Sequence, residues 1–332
     1  MTPFTTVLVT YADRGHLLKQ VVSSVVSSGC DNIIIIDNGS HESSKKIINS
    51  MPVNYSDIKF TIHKNEKNEG SAIAFGIGMD LASSNENKNE IVLFLDDDNL
   101  PKDGAIQDAI KFSLSDNENK NVYFLLREDR PHYIEFVRTK NQDVLLGEKN
   151  SFMSFTLKKY LKSIVNKLNK TETQEKYDSF SDSCIQIPCG PYGGMLTKKS
   201  ILSNGIRPFK DMVLYFDDTK YTYDLSLSGV KLFLLTKCFI SDIDDSWSAV
   251  KTKKTSSPIF EAGEFKISHT IRNRVFFELY ATTKNVPIYV VNIFFFMLIL
   301  FVKALISHNM RTFLKISKYI IDGVRFYRDK AH

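Results

Sequence analysis

Short apolar runs alternate with helix-forming stretches over the first 126 residues, and this alternation constrains the fold more than any other feature. The apolar runs have the length of strands, and the stretches between them carry apolar residues at helical spacing. Strands are predicted over residues 5–10, 33–36, 58–62, 91–95 and 122–126, and helices over 17–26, 43–48, 72–81 and 105–112. This order predicts an α/β fold with a mostly parallel sheet and helices on both of its faces.

The apolar run at residues 91–95 ends in three consecutive carboxylates, Asp96, Asp97 and Asp98. Like charges at a strand end repel one another, and a divalent cation among them removes that cost. In open α/β sheets, ligands collect at the carboxyl ends of strands. A solvated acidic turn is the alternative, but the preceding strand favours a metal site.

A second block of strand-like sequence follows a polar insertion. Residues 138–183 are rich in lysine and predict an inserted helix over 152–168 with mobile flanks. Strands are predicted at 184–188 and 231–235, with a glycine-rich turn at 189–196 where the backbone can approach a ligand. We therefore predict one domain over 1–248, with a first half at 1–128 and a second half at 129–248.

The C-terminal region, residues 249–332, has a different character. Residues 285–302 carry no charge and are of borderline length for a membrane span, whereas residues 303–330 hold seven Lys or Arg against two acids. A spanning helix would place that basic segment opposite a cytoplasmic first domain, against the positive-inside tendency. We therefore expect a helix at the membrane surface, followed by a basic amphipathic helix over 309–328. A buried helix of a core or a dimer is the alternative.

Charge and cysteine content restrict the class of protein. The 43 basic and 38 acidic residues leave only a mild positive balance, so no nucleic-acid partner is predicted. The four cysteines show no C-x-x-C pair and no disulfide-scaffold spacing, which fits a reducing compartment. The N-terminus leads straight into the first strand without a signal-peptide pattern, which argues against secretion. The predicted location is the cytoplasm, at the inner face of the membrane.

Five motifs in order resemble glycosyltransferase family 2. They read Val9-Thr10-Tyr11-Ala12-Asp13-Arg14, Ile36-Asp37-Asn38-Gly39-Ser40, Asn68-Glu69-Gly70-Ser71-Ala72, Asp96-Asp97-Asp98 and Tyr215-Phe216-Asp217-Asp218. The resemblance covers roughly residues 4–280, and the order of the motifs carries it because each motif alone is weak. It implies a GT-A fold, a nucleotide-sugar donor bound by the half at 1–128, an acceptor bound by the half at 129–248, and Mg²⁺ or Mn²⁺. It also implies inversion at the sugar by a single carboxylate base.

The resemblance also implies roles for individual residues. The implied donor-binding residues are Thr10, Tyr11, Arg14, Asp37, Asn38, Gly70, Asp96 and Asp97, with Asp96 and Asp98 as metal ligands. The implied base is Asp218, beside Asp217, and the implied acceptor-binding residues are Tyr192, Gly193, Gly194, His269, Arg272 and Asn273. A metal held by carboxylates offsets the charge that builds on a diphosphate leaving group, and an acceptor hydroxyl needs a base near neutral pH. The alternative for Asp217 and Asp218 is an N-cap pair for the helix that follows.

The motifs lean towards the galactofuranosyl and rhamnosyl transferases of bacterial polysaccharide synthesis, with one departure. Those relatives carry a metal-binding histidine shortly after the last strand, and residues 243–248 contain none. Either Asp244 or Asp245 substitutes, His269 reaches in, or the metal keeps extra water. The Gln-x-x-Arg-Trp motif of processive synthases is also absent from the sequence. The resemblance thus implies a non-processive enzyme.

Three functions are compatible with these features. The first is an inverting hexosyltransferase that uses a UDP- or dTDP-linked sugar, with UDP-galactofuranose or dTDP-rhamnose favoured, and a lipid-linked or polysaccharide acceptor at the membrane surface. The second is a sugar nucleotidyltransferase, although residues 10–15 are poor in glycine for its phosphate loop. The third is a non-catalytic scaffold of a polysaccharide assembly, against which the retained acids speak because unliganded charge clusters are costly. Self-association of the chain stays open.

Overall fold

The computed structural model describes residues 1–115, 120–168, 182–244, 257–261 and 263–330. The chain divides into two compact units. The first comprises Met1–Lys140 and Phe180–Ser246, and the second comprises Asn141–Ser179 and Trp247–His332. We describe each unit by itself. The predicted domain boundary at residue 248 lies outside the described residues.

The strands and helices of the described residues follow the order expected for an α/β chain. The strands are β1 (Phe4–Ala12), β2 (Cys30–Ser40), β3 (Lys59–Asn65), β4 (Ile91–Asp96), β5 (Asn99–Pro101), β6 (Asn121–Arg127), β7 (Cys184–Ile187), β8 (Met195–Lys198) and β9 (Lys231–Asp242). The helices are α1 (Gly15–Ser27), α2 (Glu42–Asn54), α3 (Ser71–Ser83), α4 (Ala105–Leu114), α5 (Pro131–Thr139), α6 (Asp143–Leu146), α7 (Leu157–Leu168), α8 (Lys199–Leu202), α9 (Asp217–Leu227), α10 (Pro258–Glu261), α11 (Glu264–Phe277), α12 (Val286–Ile306) and α13 (Met310–Lys330).

One sheet organises the first unit. Its strand order is β3-β2-β1-β4-β8-β6-β9-β5, and β7 also pairs with β9. Strands β1, β2, β3, β4, β6 and β9 run in one direction, while β5, β7 and β8 run against them. The predicted α/β fold with a mostly parallel sheet is therefore confirmed.

Successive residues of β1 show how helices cover both faces of this sheet. Leu8 packs in a core cluster with Leu18 of α1, whereas the preceding Val7 points to the other face, against Gly78 of α3. Neighbouring side chains of a strand point to opposite faces, so a strand covered on both sides is buried along its length. Residues 4–10 of β1 are accordingly all buried.

The carboxyl ends of four codirectional strands lie at one edge of the sheet. They are β1, β4, β6 and β9, which end near Arg14, Asp96, Arg127 and Asp242. Only β8 intervenes between β4 and β6. The fold therefore brings together polar residues that are separated by more than two hundred positions in sequence.

The second unit is helical and has its own core. Phe152 packs there with Ile271 of α11, Tyr289 and Leu300 of α12 and Ile320 of α13. The sequence assigned residues 129–248 to the second half of the catalytic domain, whereas the structure groups the described residues 141–168 with the C-terminal helices. The reason is Phe152, which is fully buried in this core.

Helices α12 and α13 of the second unit each begin within one residue of the predicted start. Residues 285–302 were predicted as a helix, and α12 extends it to Ile306. By length and composition α12 is able to cross a bilayer, the one such helix in the described part of the chain, and 22% of its most apolar window is buried. The inserted helix α7 is shorter than predicted, because residues 152 and 155 form an isolated β-bridge before it.

Two glycines of α3 offer a matched test of this packing. A β-carbon at Gly78 would lie 2.5 Å from Val7 Cγ1, whereas one at Gly76 would have Pro208 Cδ at 3.9 Å as its nearest neighbour. We expect Gly78→Ala to lower the free energy of unfolding by about 1–3 kcal/mol, because the stiff Val7 side chain cannot move aside. Gly76→Ala should raise it by about 0.5–1 kcal/mol through helix propensity. Urea denaturation of both variants measures the free energy of unfolding. Equal changes in the two variants would contradict the packing of Gly78 against Val7.

Candidate active site

Arg14, just after β1, binds the acidic end of β4. Its Nε donates to Asp97 Oδ1 at 2.8 Å, its Nη2 donates to Asp98 Oδ2 at 2.7 Å, and its Nη1 donates to Asp244. Thr10 Oγ1 donates to Asp97 Oδ2 at 2.7 Å. Both carboxylate oxygens of Asp97 thus have partners within the protein, so Asp97 fixes the strand end and Arg14. The sequence predicted it as a donor ligand.

Asp96 differs from its two neighbours because no described residue forms an ion pair or hydrogen bond with its carboxylate. Burial, together with the nearby charge of Asp98, raises the pKa of Asp96 to about 8. Burial raises the pKa of Asp97 to about 6, although Arg14 and Thr10 oppose the shift. The strand end is therefore a place where one more positive charge would be stabilising.

The ends of β6 and β9 add residues that the sequence reasoning missed. Asp242 forms ion pairs with Arg127 and Arg130 and accepts a hydrogen bond from Asn99 Nδ2 at 2.8 Å. Asn99 also donates to Asp98 Oδ1 at 3.1 Å, which connects this group to the acids of β4. The signal was present, since Arg127 directly follows a predicted strand. Asp242 escaped because the last strand was predicted to end seven residues early, at 235.

Gly193 closes over these side chains. A β-carbon there would lie 2.0 Å from Asn99 Oδ1, 2.8 Å from Asp96 Oδ2 and 2.9 Å from Arg127 Nη1. A side chain at this position would collide with all three atoms, so the close packing here requires glycine. The next residue, Gly194, has a φ of +92° and donates its N–H to the carbonyl of Phe94 at 2.9 Å.

The carboxylate of Asp96 fits a divalent cation, whereas both oxygens of Asp98 already accept hydrogen bonds from Arg14 and Asn99, so a cation would share Asp98 with them. Mg²⁺ and Mn²⁺ prefer carboxylate oxygen and often take only one or two protein ligands, with water or phosphate completing the shell. Asp96 is only partly buried, and its carboxylate forms no ion pair with a described residue, although the charge of Arg127 acts on it. Within the described residues no group of three or more His, Cys, Asp or Glu side chains is arranged around a metal. A cation here would accordingly depend on ligands from a substrate or water.

A second acidic pair opens helix α9. Asp217 is buried and accepts a hydrogen bond from Ser71 Oγ at 2.8 Å. Asp218 Oδ1 accepts one from the Thr219 N–H at 2.6 Å, and no described residue donates to its Oδ2. The helix N-cap is Phe216, which makes no side-chain cap bond. The N-cap interpretation of the two aspartates is therefore wrong, since both already lie in the first helical turn.

The loop before α9 is strained and is tied to the start of α3. Val213, Tyr215 and Phe216 all have positive φ, between +64° and +66°, a region that non-glycine residues rarely occupy. A β-carbon at Gly70 would lie 2.2 Å from the Val213 carbonyl oxygen, so the glycine permits contact between α3 and this loop. The sequence had assigned Gly70 to the nucleotide.

Burial controls the protonation of this pair. It raises the pKa of Asp217 to about 7, with the charge of Asp218 adding to the shift. It also raises the pKa of Asp218, while Arg127 favours the ionised form. Tyr192 lies beside both acids, and the next residue, Gly193, contacts Asp96. The glycine-rich turn therefore lies between the two acidic groups.

The motif after β2 is engaged mainly with the protein itself. Asn38 Nδ2 donates to Asn68 Oδ1 at 3.0 Å, and its Oδ1 accepts from Asn65 Nδ2 and the Glu69 N–H. Asp37 is fully buried; its Oδ1 accepts from the Ser40 N–H at 2.8 Å, and its Oδ2 has no partner. The unpartnered oxygen is the feature of this motif that is compatible with binding a ligand.

The remaining predicted residues fall outside this group. His269, Arg272 and Asn273 are on α11 of the second unit, where His269 Nδ1 lies 2.9 Å from the Phe265 carbonyl oxygen. Their role at an acceptor stays a prediction. Of the two substitutes for a histidine after the last strand, Asp244 forms an ion pair with Arg14, and Asp245 lies outside the described residues.

Comparisons place these observations beside known proteins. Residues 5–169 match the family described as Glycosyl transferase family 2. No curated protein gives a significant match to the sequence. The structure of GalNAc-T7 with UDP, GalNAc and Mn²⁺ is similar, with a TM-score of 0.53 and 14% identity, over 84% of this chain and 48% of that one. This chain thus spans about half the length of GalNAc-T7, and the likeness confirms the predicted fold class.

Two further structures were also found. The mannosyltransferase PcManGT from Pyrobaculum calidifontis, in complex with GDP-Man and Mn²⁺, has a TM-score of 0.49 and 13% identity, over 98% of this chain and 87% of that one. TarS 1-349 of S. aureus, in complex with UDP-GlcNAc, has a TM-score of 0.47 and 11% identity, over 99% of this chain and 92% of that one.

Replacing Gly193 tests the geometry of the strand-end cluster. We expect MnCl₂ with UDP to raise the melting temperature of the unchanged protein, and we expect Gly193→Ala to abolish this rise because the added methyl group displaces Asp96 and Asn99. Gly76→Ala, where a β-carbon has room, is the matched control and should keep the rise. An undiminished rise in Gly193→Ala would contradict a ligand site at this turn.

Asp217 makes stability depend on pH. Its pKa is about 7 in the folded state, whereas an unfolded aspartate titrates near about 4. Folding therefore loses stability between these values as pH rises, because only the unfolded chain releases this proton easily. We expect Asp217→Asn to become progressively more stable than the unchanged protein from pH 4.5 to 7.5, in urea denaturation at each pH. Asp108→Asn, at an exposed site on α4, should show no such trend.

Proposed function

Because the chain belongs to glycosyltransferase family 2, we propose that it transfers a hexose from a nucleoside-diphosphate sugar to a glycan or lipid-linked acceptor, with inversion. One observation carries this proposal. The turn at Gly193 contacts the carboxylate of Asp96, and the adjoining Tyr192 lies beside Asp217 and Asp218. A metal-binding pair and a candidate base thus adjoin the same short turn.

Asp96 and Asp98 would hold Mg²⁺ or Mn²⁺. Bound there, the cation would act as a Lewis acid on the diphosphate leaving group. Arg14 fixes Asp98, so this ligand is held in place before the substrate arrives. GalNAc-T7, which shares the fold, has been solved with UDP and Mn²⁺ bound. That likeness supports the assignment of donor and metal.

Asp218 is the base in this proposal. Its Oδ2 has no donor among the described residues, whereas Oδ1 is fixed by Thr219, so one oxygen remains to accept the proton of an acceptor hydroxyl. Arg127 favours the ionised form that a base requires. Asp217 stays protonated to a higher pH than an ordinary aspartate, which limits repulsion within the pair. Ser71 then holds Asp217, and with it the first turn of α9.

Tyr11 and Asp37 are the proposed contacts to the nucleoside. The Tyr11 ring is 42% exposed, and the Arg14 guanidinium lies 5.3 Å from its centroid. An exposed aromatic face next to a cation suits a planar base. Asp37 Oδ2 is buried without a partner, and it is the proposed acceptor for a hydrogen bond from the base or ribose. We propose a UDP- or dTDP-linked donor, and galactofuranose or rhamnose as the sugar, from the motif pattern.

The acceptor is proposed to lie at a membrane. The second unit carries α12, which is apolar along its length, and α13, which carries basic residues on an exposed face. Such a pair favours attachment to the inner face of the cytoplasmic membrane, where lipid-linked saccharides are found. Release after one addition, or a few, is consistent with the missing motif of processive synthases.

Release of nucleoside diphosphate tests this function directly. With UDP- and dTDP-sugars and no acceptor, we expect slow hydrolysis that requires MnCl₂ or MgCl₂ and stops with chelator. Pyrophosphate exchange in place of hydrolysis would instead indicate a sugar nucleotidyltransferase. If neither hydrolysis nor pyrophosphate exchange is found with any donor, although nucleotide binds in a thermal-shift assay, the protein is a non-catalytic scaffold.

Asp218→Asn separates binding from chemistry. We expect transfer to fall by about 10²–10⁴-fold, because the amide cannot take the acceptor proton, while the affinity for UDP with Mn²⁺ stays unchanged. Isothermal titration gives the affinity, and Asp108→Asn on the exposed surface of α4 is the control. Full transfer activity in Asp218→Asn would show that Asp218 is not the base.

A further inference from the structure

We propose that α7, together with the exposed face of α12, is a docking surface for an anionic membrane. The proposal rests on the membrane location in the proposed function and adds the inserted helix to it. The sequence placed this helix in the acceptor half of the catalytic domain. Its neighbours in the second unit, its exposure and its charge all point instead to contact with lipid.

Helix α12 has one packed face and one open face along its whole length. Tyr289, Asn292, Leu300 and Ala304 are buried in the second unit. The open face consists of apolar residues that recur every three or four positions, namely Val286, Val290, Val291, Phe294, Leu298, Phe301, Val302 and Leu305. A helix with this pattern lies along a surface, with its open stripe available to an apolar phase.

Helix α7 has an apolar stripe of the same kind and hardly any packing of its own. Residues 158–166 are all exposed. Tyr160, Leu161, Ile164 and Val165 lie on one side at helical spacing and are between 40% and 53% exposed. Four exposed large apolar residues within six positions of a helix are unusual for a solvated surface. This helix lacks a partner for that side in the described part of the chain.

The two stripes belong to adjoining helices. The first N–H of α7, at Leu157, donates to Asn292 Oδ1 of α12 at 2.8 Å. Just before α7, the Phe155 ring packs edge-on against Phe296 of α12 with centroids 5.9 Å apart, and Tyr160 packs on Phe155 at 5.7 Å. The start of α7 is therefore anchored to α12.

The positive charge of α7 indicates that the partner of this docking surface is anionic. Lys158, Lys159 and Lys162 accompany the apolar stripe of α7, and only Lys159 has a partner, Glu148, among the described residues. Lysine stems can lie along an apolar surface while the ammonium reaches lipid headgroups. Lysines close to an anionic lipid surface are attracted to it, and this attraction weakens with salt. In a symmetric dimer through this face, the lysines of the two copies would face each other, and their like charges would oppose the association.

Flotation of the full chain with vesicles tests the proposal. The vesicles are phosphatidylcholine alone, or phosphatidylcholine with a third of phosphatidylglycerol. We expect binding to the anionic vesicles only, and a loss of about tenfold or more in Leu161→Gln/Val165→Gln, since two apolar side chains leave the lipid. Lys158→Gln/Lys162→Gln should lose about tenfold as well, and added salt should mimic it.

Matched controls separate this surface from general effects. Val53→Gln removes an apolar side chain that is 81% exposed on the first unit, and Lys111→Gln removes an exposed lysine of α4. Both should bind vesicles like the unchanged protein. Metal-dependent hydrolysis of the soluble donor, measured without vesicles, should stay unchanged in every variant. If the unchanged protein does not hydrolyse the donor, the proposed function is contradicted, whereas the conclusion on vesicle binding is unaffected.

Three results would overturn the proposal. Undiminished binding by both α7 variants would show that α7 does not contact lipid. Equal binding to neutral and anionic vesicles would remove the role of its lysines. Concentration-dependent dimerisation in light scattering that the Leu161→Gln/Val165→Gln variant abolishes would show that a second copy covers the stripe.

Discussion

Repulsion among carboxylates at one edge of a sheet is the constraint on which the rest of this structure depends. Codirectional strands bring Asp96, Asp97, Asp98 and Asp242 to the same edge, where burial raises the pKa of the first three. Arg14 and Arg127 compensate much of this charge, but the Asp96 carboxylate forms no ion pair with a described residue, and its pKa stays raised although Arg127 opposes the shift. This carboxylate lies beside Gly193, and the remaining electrostatic cost is the reason for proposing a divalent ion there.

The second acidic pair is held by a different device. Asp217 and Asp218 follow a loop with three non-glycine residues at positive φ, and such strain persists only where the surroundings impose it. Here the imposing contact is the start of α3, through the space at Gly70 and the Ser71 hydroxyl on Asp217. Asn38 in turn fixes the segment that leads to Gly70. Residues of the third motif therefore hold the fifth motif in position.

The second unit carries the surface that is proposed to bind the membrane. Its core leaves the apolar stripe of α12 open, and α7 adds a second stripe accompanied by lysines. An enzyme that acts on lipid-linked acceptors gains from such a surface, since two-dimensional confinement raises the local concentration of its substrate. The strand-end site and the helical unit are thus complementary parts of one proposed activity, one for the donor and the other for the membrane.

The sequence by itself determined the α/β order of the first unit, the acidic end of β4 and the apolar and basic helices at the C-terminus. These features depend on local periodicity and on the end of an apolar run, which a single sequence displays. Only the tertiary structure decided that Asp242, Arg127 and Asn99 join the acids, that Asp97 binds Arg14, and that residues 141–168 pack with the C-terminal helices. Those outcomes depend on strand order and on contacts between distant residues, because charge compensation and burial are properties of neighbours in space.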